Sequence, residues 1–93
     1  MSTHLIVGLG NPGPKYAIHR HNVGFLAVDA MADRWRAPAF REKFKGEFTK
    51  LSLGGEEVVL LKPMTYMNLS GESVQAAMRF FKVSLERVLC VHD

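Results

Sequence analysis

Four residues in this sequence have side chains that could do chemistry together: Asn11, His21, Asn68 and Asp93. An imidazole titrates near pH ~6.5 and can take a proton at neutral pH, and a neighbouring carboxylate raises its basicity and holds its working form. Amide side chains can donate hydrogen bonds to an oxygen that gains negative charge during a reaction. Base, orienting acid and amide donors are the parts needed to split an ester or amide with an activated water. Each residue also has a plainer explanation. Asn11 precedes Pro12, a pair that shapes turns; Asn68 sits in a loop near a helix start; His21 opens a helix; Asp93 follows a strand as a solvated acid. The case for chemistry depends on the elements that would hold the four in one place.

Those elements follow from hydrophobic spacing. The apolar run Leu5 to Leu9 is broken by Asn-Pro-Gly-Pro and predicts a buried strand. From Asn22 to Trp35, Val23, Leu26, Ala27, Ala30 and Met31 recur at helical spacing, with Asn22 as a cap and Pro38 just beyond the end. Gly46 to Leu53 alternates as a strand, with Phe48 and Lys50 on one face and Thr49 and Leu51 on the other. Gly54-Gly55 then turns the chain into a second strand from Glu57 to Lys62, which Pro63 ends. A helix is expected from Gly71 to Lys82, capped by Ser70 and striped by Val74, Ala77, Met78 and Phe81. A last strand covers Val88 to Val91. Helices between strands imply crossovers and parallel pairs, while the tight turn adds an antiparallel pair. The expected fold class is α/β, a mixed sheet with parallel core strands and flanking helices. In such sheets ligands gather at the carboxyl ends of the parallel strands, which is where Asn11, Asn68 and Asp93 follow their strands and where a loop leads to His21.

One rival motif fails on context. Gly8, Gly10 and Gly13 fit the glycine spacing of a dinucleotide site, but Pro12 and Pro14 flank the third glycine and the helix is expected only near Asn22. Without an immediate helix there is no amino end to hold a pyrophosphate. The bulk numbers exclude little else. Ninety-three residues, 47% hydrophobic and 23% charged, suit one small folded domain, and the net charge of +3 is a mild preference for a polyanion. The single cysteine, Cys90, lies in the apolar run VLCV and reads as a small buried hydrophobe that cannot form a disulfide within the chain. No apolar run approaches the roughly 20 residues that cross a bilayer, and no leader precedes the first strand, so a cytoplasmic location is expected. The histidines show no metal-ligand spacing, and neither metal nor cofactor is expected.

The segment LIVGLGNPGPKYAIHRHNVGF (5–25), the segment KPMTYMNLSGESV (62–74) and the closing VHD (91–93) resemble, in order and spacing, the three signature blocks of bacterial-type peptidyl-tRNA hydrolases. That resemblance implies cleavage of the ester between a peptide and the terminal ribose of tRNA, by a monomeric enzyme of translation. By motif, His21 matches the base that activates water, and Asp93 the carboxylate that supports it. Asn11 matches the residue that selects N-blocked peptidyl groups, and Asn68 one that binds substrate and positions water or oxyanion. Tyr16, Tyr66 and Met67 match positions lining the substrate cleft. His19 departs from the family, which usually has a small hydroxyl residue there. The family continues well past the His-Asp motif, with a further active-site asparagine, more sheet, a lid and a basic helical region. On that basis residues 1–93 are expected to be the amino-terminal part of a single domain, incomplete relative to the family fold and weakly active or inactive alone. Two other functions fit the residues: a non-catalytic RNA-binding module using Arg34, Arg36, Arg41, Lys43 and Lys45, and an esterase for small substrates.

Overall fold

A computed structural model describes residues 2–10, 23–64 and 70–92 of the chain. Its elements run β1 (Thr3–Gly8), α1 (Val23–Arg34), β2 (Arg41–Lys43), β3 (Gly46–Leu53), β4 (Glu56–Pro63), α2 (Ser70–Phe81) and β5 (Val88–Val91), with a 3-10 turn at Leu85–Arg87. The strands form a five-stranded sheet in the order β2-β3-β4-β1-β5. β1 lies parallel to β4 on one side and to β5 on the other, while β2–β3 and β3–β4 are antiparallel. The expected mixed sheet is present, and its parallel members are direct neighbours.

The helices cover opposite faces of the sheet. Leu5, Val7, Val59 and Leu61 point toward α2 and are fully buried, with Ala77 from the helix and Val74, Met78 and Phe81 packed around them. Leu60, Val58 and half-buried Ile6 point the other way, against Val28 and Ala32 of α1. Burying each of these aliphatic side chains contributes about 1.5–3 kcal/mol, which is why the period-two strand pattern survives in the fold. Phe48 falls on the α2 face and Leu51 on the α1 face, as alternation requires.

Three local expectations needed correction. The inward face of α1 is Gly24, Val28 and Ala32, not the predicted stripe; Val23 and Leu26 are exposed, and so is Ala30. The physical reason is close packing by small residues. A Cβ on Gly24 would overlap backbone atoms of Leu9 and Val91, and one on Gly8 would overlap Gly24, so helix and sheet meet backbone to backbone. Cys90 is exposed, because β5 is the outer strand beside β1, with both Leu89 and Cys90 open to solvent. The short, wholly exposed strand β2 has no apolar alternation to announce it. Among the described residues, no helix is long and apolar enough to cross a membrane.

Candidate active site

The seven residues proposed from the sequence, Asn11, Tyr16, His21, Tyr66, Met67, Asn68 and Asp93, all lie outside the described residues. The structure describes the frame that carries them. Because β4, β1 and β5 run parallel, with Val7 opposite both Leu61 and Cys90, the chain leaves all three strands at one edge of the sheet. Gly10 ends the described stretch before Asn11, Met64 precedes 65–69, and His92 precedes Asp93. The Leu9 N–H donates to the Val91 carbonyl at 2.9 Å, tying the ends of β1 and β5 together.

Both helices start at this edge. Gly24, in the first turn of α1, lies against the backbone of Leu9 and Val91, and the helix begins two residues after His21. The start of α2 lies beside the same strand ends: Leu9, Ser70, Gly71 and Cys90 line one shallow cavity of about 490 Å³. The amino end of a helix carries about half a positive charge, so two helix starts at one edge favour groups that gain negative charge there. α1 has no acidic residue in its first turn, whereas α2 has Glu72. That carboxylate accepts from the Lys45 ammonium at 2.6 Å.

Lys62 is a positioning residue just before the 65–69 segment. It lies near the carboxyl end of β4 with its side chain 10% exposed. Its ammonium donates to Asp29 of α1 at 2.6 Å, lies 3.4 Å from Glu47 of β3, and sits 4.2 Å from the centre of the Phe40 ring. A buried lysine of this kind joins three elements just before the 65–69 segment. Removing its partners would leave a mostly buried ammonium without a counter-charge, which destabilises the fold. The available signal was a lone cation in the apolar run VVLLKP, since buried lysines are almost always paired.

The opposite edge of the sheet is electrostatically plain. His4 Nε2–H donates to Glu56 at 3.0 Å, and this hydrogen bond holds the exposed Glu56 carboxyl below its usual range. Thr3 donates to Glu57 at 3.1 Å, and Lys50 lies 3.5 Å from the same carboxylate. None of these groups approaches the strand ends that carry the candidate residues.

A mixed α/β sheet that starts both helices and ends three parallel strands at one edge has the arrangement in which α/β folds gather ligands at the carboxyl ends of their strands. The chain belongs to the peptidyl-tRNA hydrolase family, whose model matches residues 5–93. It is 60% identical over 89 residues to a peptidyl-tRNA hydrolase of Sorangium cellulosum, covering 96% of this chain and 40% of that protein. It is 54% identical to one of Beijerinckia indica, covering 96% of this chain and 45% of that protein. The crystal structure of peptidyl-tRNA hydrolase from Acinetobacter baumannii superposes with a TM-score of 0.90 at 43% identity, covering 97% of this chain and 46% of that one. The chain therefore spans less than half the length of these relatives.

Proposed function

We propose that this chain takes part in hydrolysing the ester between peptide and tRNA in peptidyl-tRNA, recycling tRNA during translation. In this reading His21 takes a proton from water, the resulting hydroxide attacks the ester carbonyl, and the acyl–oxygen bond breaks as the ribose oxygen leaves with the proton that His21 returns. Asp93 orients the imidazole and stabilises its charged form, which disfavours the unproductive tautomer. Asn68 donates to the developing oxyanion, and Asn11 recognises the blocked amino group that distinguishes peptidyl from aminoacyl substrates. Tyr16, Tyr66 and Met67 line the cleft for the substrate. The sequence of steps uses no metal or cofactor, and the enzyme acts as a cytoplasmic monomer.

One observation carries the reading. Strands β4, β1 and β5 are parallel neighbours, so the described chain runs toward Asn68, Asn11 and Asp93 from one edge, and α1 begins there two residues after His21. Membership of the family supports the choice of substrate.

The test uses protein expressed from the complete reading frame, with an N-acetylaminoacyl-tRNA as substrate. His21→Ala is expected to lower kcat by roughly 10²–10⁴-fold while tRNA binding is retained. Undiminished turnover in that variant would remove the base assignment. Binding of tRNA without turnover by the unaltered protein would instead favour a binding module.

A further inference from the structure

The run of basic residues from Arg34 to Lys45 is divided by the fold. Arg34 closes α1 and Arg36 follows it, on the layer opposite α2. Lys45 spends its charge on Glu72 at 2.6 Å. Arg41 and Lys43 are different. They pair with Phe48 and Gly46, so strand alternation sets both on the α2 face, while Glu42 pairs with Glu47 on the other. Neither has a carboxylate partner among the described residues.

These two cations border a groove of about 440 Å³ whose floor includes Phe48, Phe80 and Phe81. Phe80 is 57% exposed, and the Lys43 ammonium lies 4.0 Å from the centre of its ring. Lys50 also lines the groove, with Glu57 at 3.5 Å partly offsetting it, and Glu42 is the one carboxylate-bearing residue in the lining. A separate shallow pocket lined by Lys43, Lys45, Gly46 and Met64 lies between this groove and the edge that carries the candidate residues. Lys43 is opposite Gly46, Gly46 is opposite Pro63, and the Met64 N–H donates to the Lys45 carbonyl at 2.9 Å.

We infer that the α2-facing side of the β2–β3 hairpin, with Phe80, is a contact surface for the tRNA body of the substrate. Alternate residues on a strand stand roughly 6.5–7 Å apart, a spacing close to that of successive phosphates along an RNA strand, so Arg41 and Lys43 meet two phosphates. The exposed ring of Phe80 supplies the apolar platform that nucleotides use in sequence-tolerant binding. An acidic peptide would satisfy the cations equally, but would gain nothing from an aromatic platform. This inference rests on the proposed substrate only for the choice of tRNA.

The experiment substitutes Arg41→Gln and Lys43→Gln together in protein from the complete reading frame, keeping most of each stem. Three readouts are taken: hydrolysis of N-acetylaminoacyl-tRNA, hydrolysis of the same acyl group on adenosine, and binding of uncharged tRNA across a salt series. KM for the tRNA substrate is expected to rise roughly tenfold with kcat within about twofold, and the adenosine ester to be unaffected. The slope of log binding constant against log salt should flatten by about 1.5–2. Arg34→Gln with Arg36→Gln, on the opposite layer, should leave that slope unchanged. Equal loss on both substrates, an unchanged slope, or the same flattening from the control pair would overturn the inference. If the double variant melts earlier, the single Arg41→Gln reads out the same way at about half the slope change. Absence of turnover in the unaltered protein would count against the hydrolase reading, while the salt series on uncharged tRNA would still judge the surface.

Discussion

Strand β3 is bounded by two turns of the same length and opposite chemistry. At the amino edge of the parallel strands, Gly54 and Gly55 take φ of +55° and +84°, and added Cβ atoms would meet nothing within 4 Å. At the carboxyl edge the same reversal uses Phe44 and Lys45, at φ of +59° and +57°. Left-handed backbone costs a residue with a Cβ about 1–2 kcal/mol, so the second turn must be held from outside. Three contacts hold it. The Phe44 ring lies 5.2, 5.3 and 5.5 Å from those of Phe48, Phe80 and Phe81. The Lys45 ammonium reaches Glu72, and the Lys45 carbonyl accepts from Met64. The difference teaches where precision is needed. A glycine turn reverses the chain at little cost and touches nothing, while the strained turn ties the hairpin to α2 and to the chain approaching residues 65–69.

Three substitutions would break or sharpen this contrast. Phe44→Ala should cost the most, about 2–3 kcal/mol in urea unfolding, because it removes the aromatic anchor and leaves the strain. A loss no greater than that of a change at the glycine turn would show that the ring does not hold the hairpin. Gly55→Ala should cost about 1 kcal/mol by forcing a Cβ into left-handed backbone, with KM and kcat for peptidyl-tRNA unchanged. An effect on turnover would mean that the amino edge communicates with the site. Lys45→Gly should change stability least, within about 0.5 kcal/mol, since relief of strain offsets loss of an exposed ion pair worth about 0.2–1 kcal/mol. A loss well above 1 kcal/mol would assign the turn to its link with Glu72 rather than to Phe44.

The two cation clusters follow the same logic. Lys62 is inside, and its charge is met by Asp29 and Glu47, so it fixes how α1 and β3 sit around the end of β4. Arg41 and Lys43 are outside, without a carboxylate partner among the described residues, and Lys43 rests over the exposed Phe80 ring, which leaves both charges available to a polyanion. In a list of basic residues the three look alike. Only burial and partners separate a strut from a contact surface.

The candidate residues were legible as types and motifs: a histidine after a strand-end loop, amides after two strands and an acid after a third. The residue order alone also determined six of the seven labelled helices and strands, because alternation and helical spacing are local properties that each segment expresses by itself. The order β2-β3-β4-β1-β5 belongs to the tertiary structure, since pairing β1 with both β4 and β5 joins residues more than fifty positions apart. Burial likewise selected the Gly24, Val28 and Ala32 face of α1, where backbone proximity outweighs side-chain size. It also gave Lys62 its partners, and made a strand of three charged residues by pairing them with β3 across a turn that carries no glycine. Local patterning determines which segments are strands and helices; contact between distant segments determines which of their faces, charges and edges are left to act.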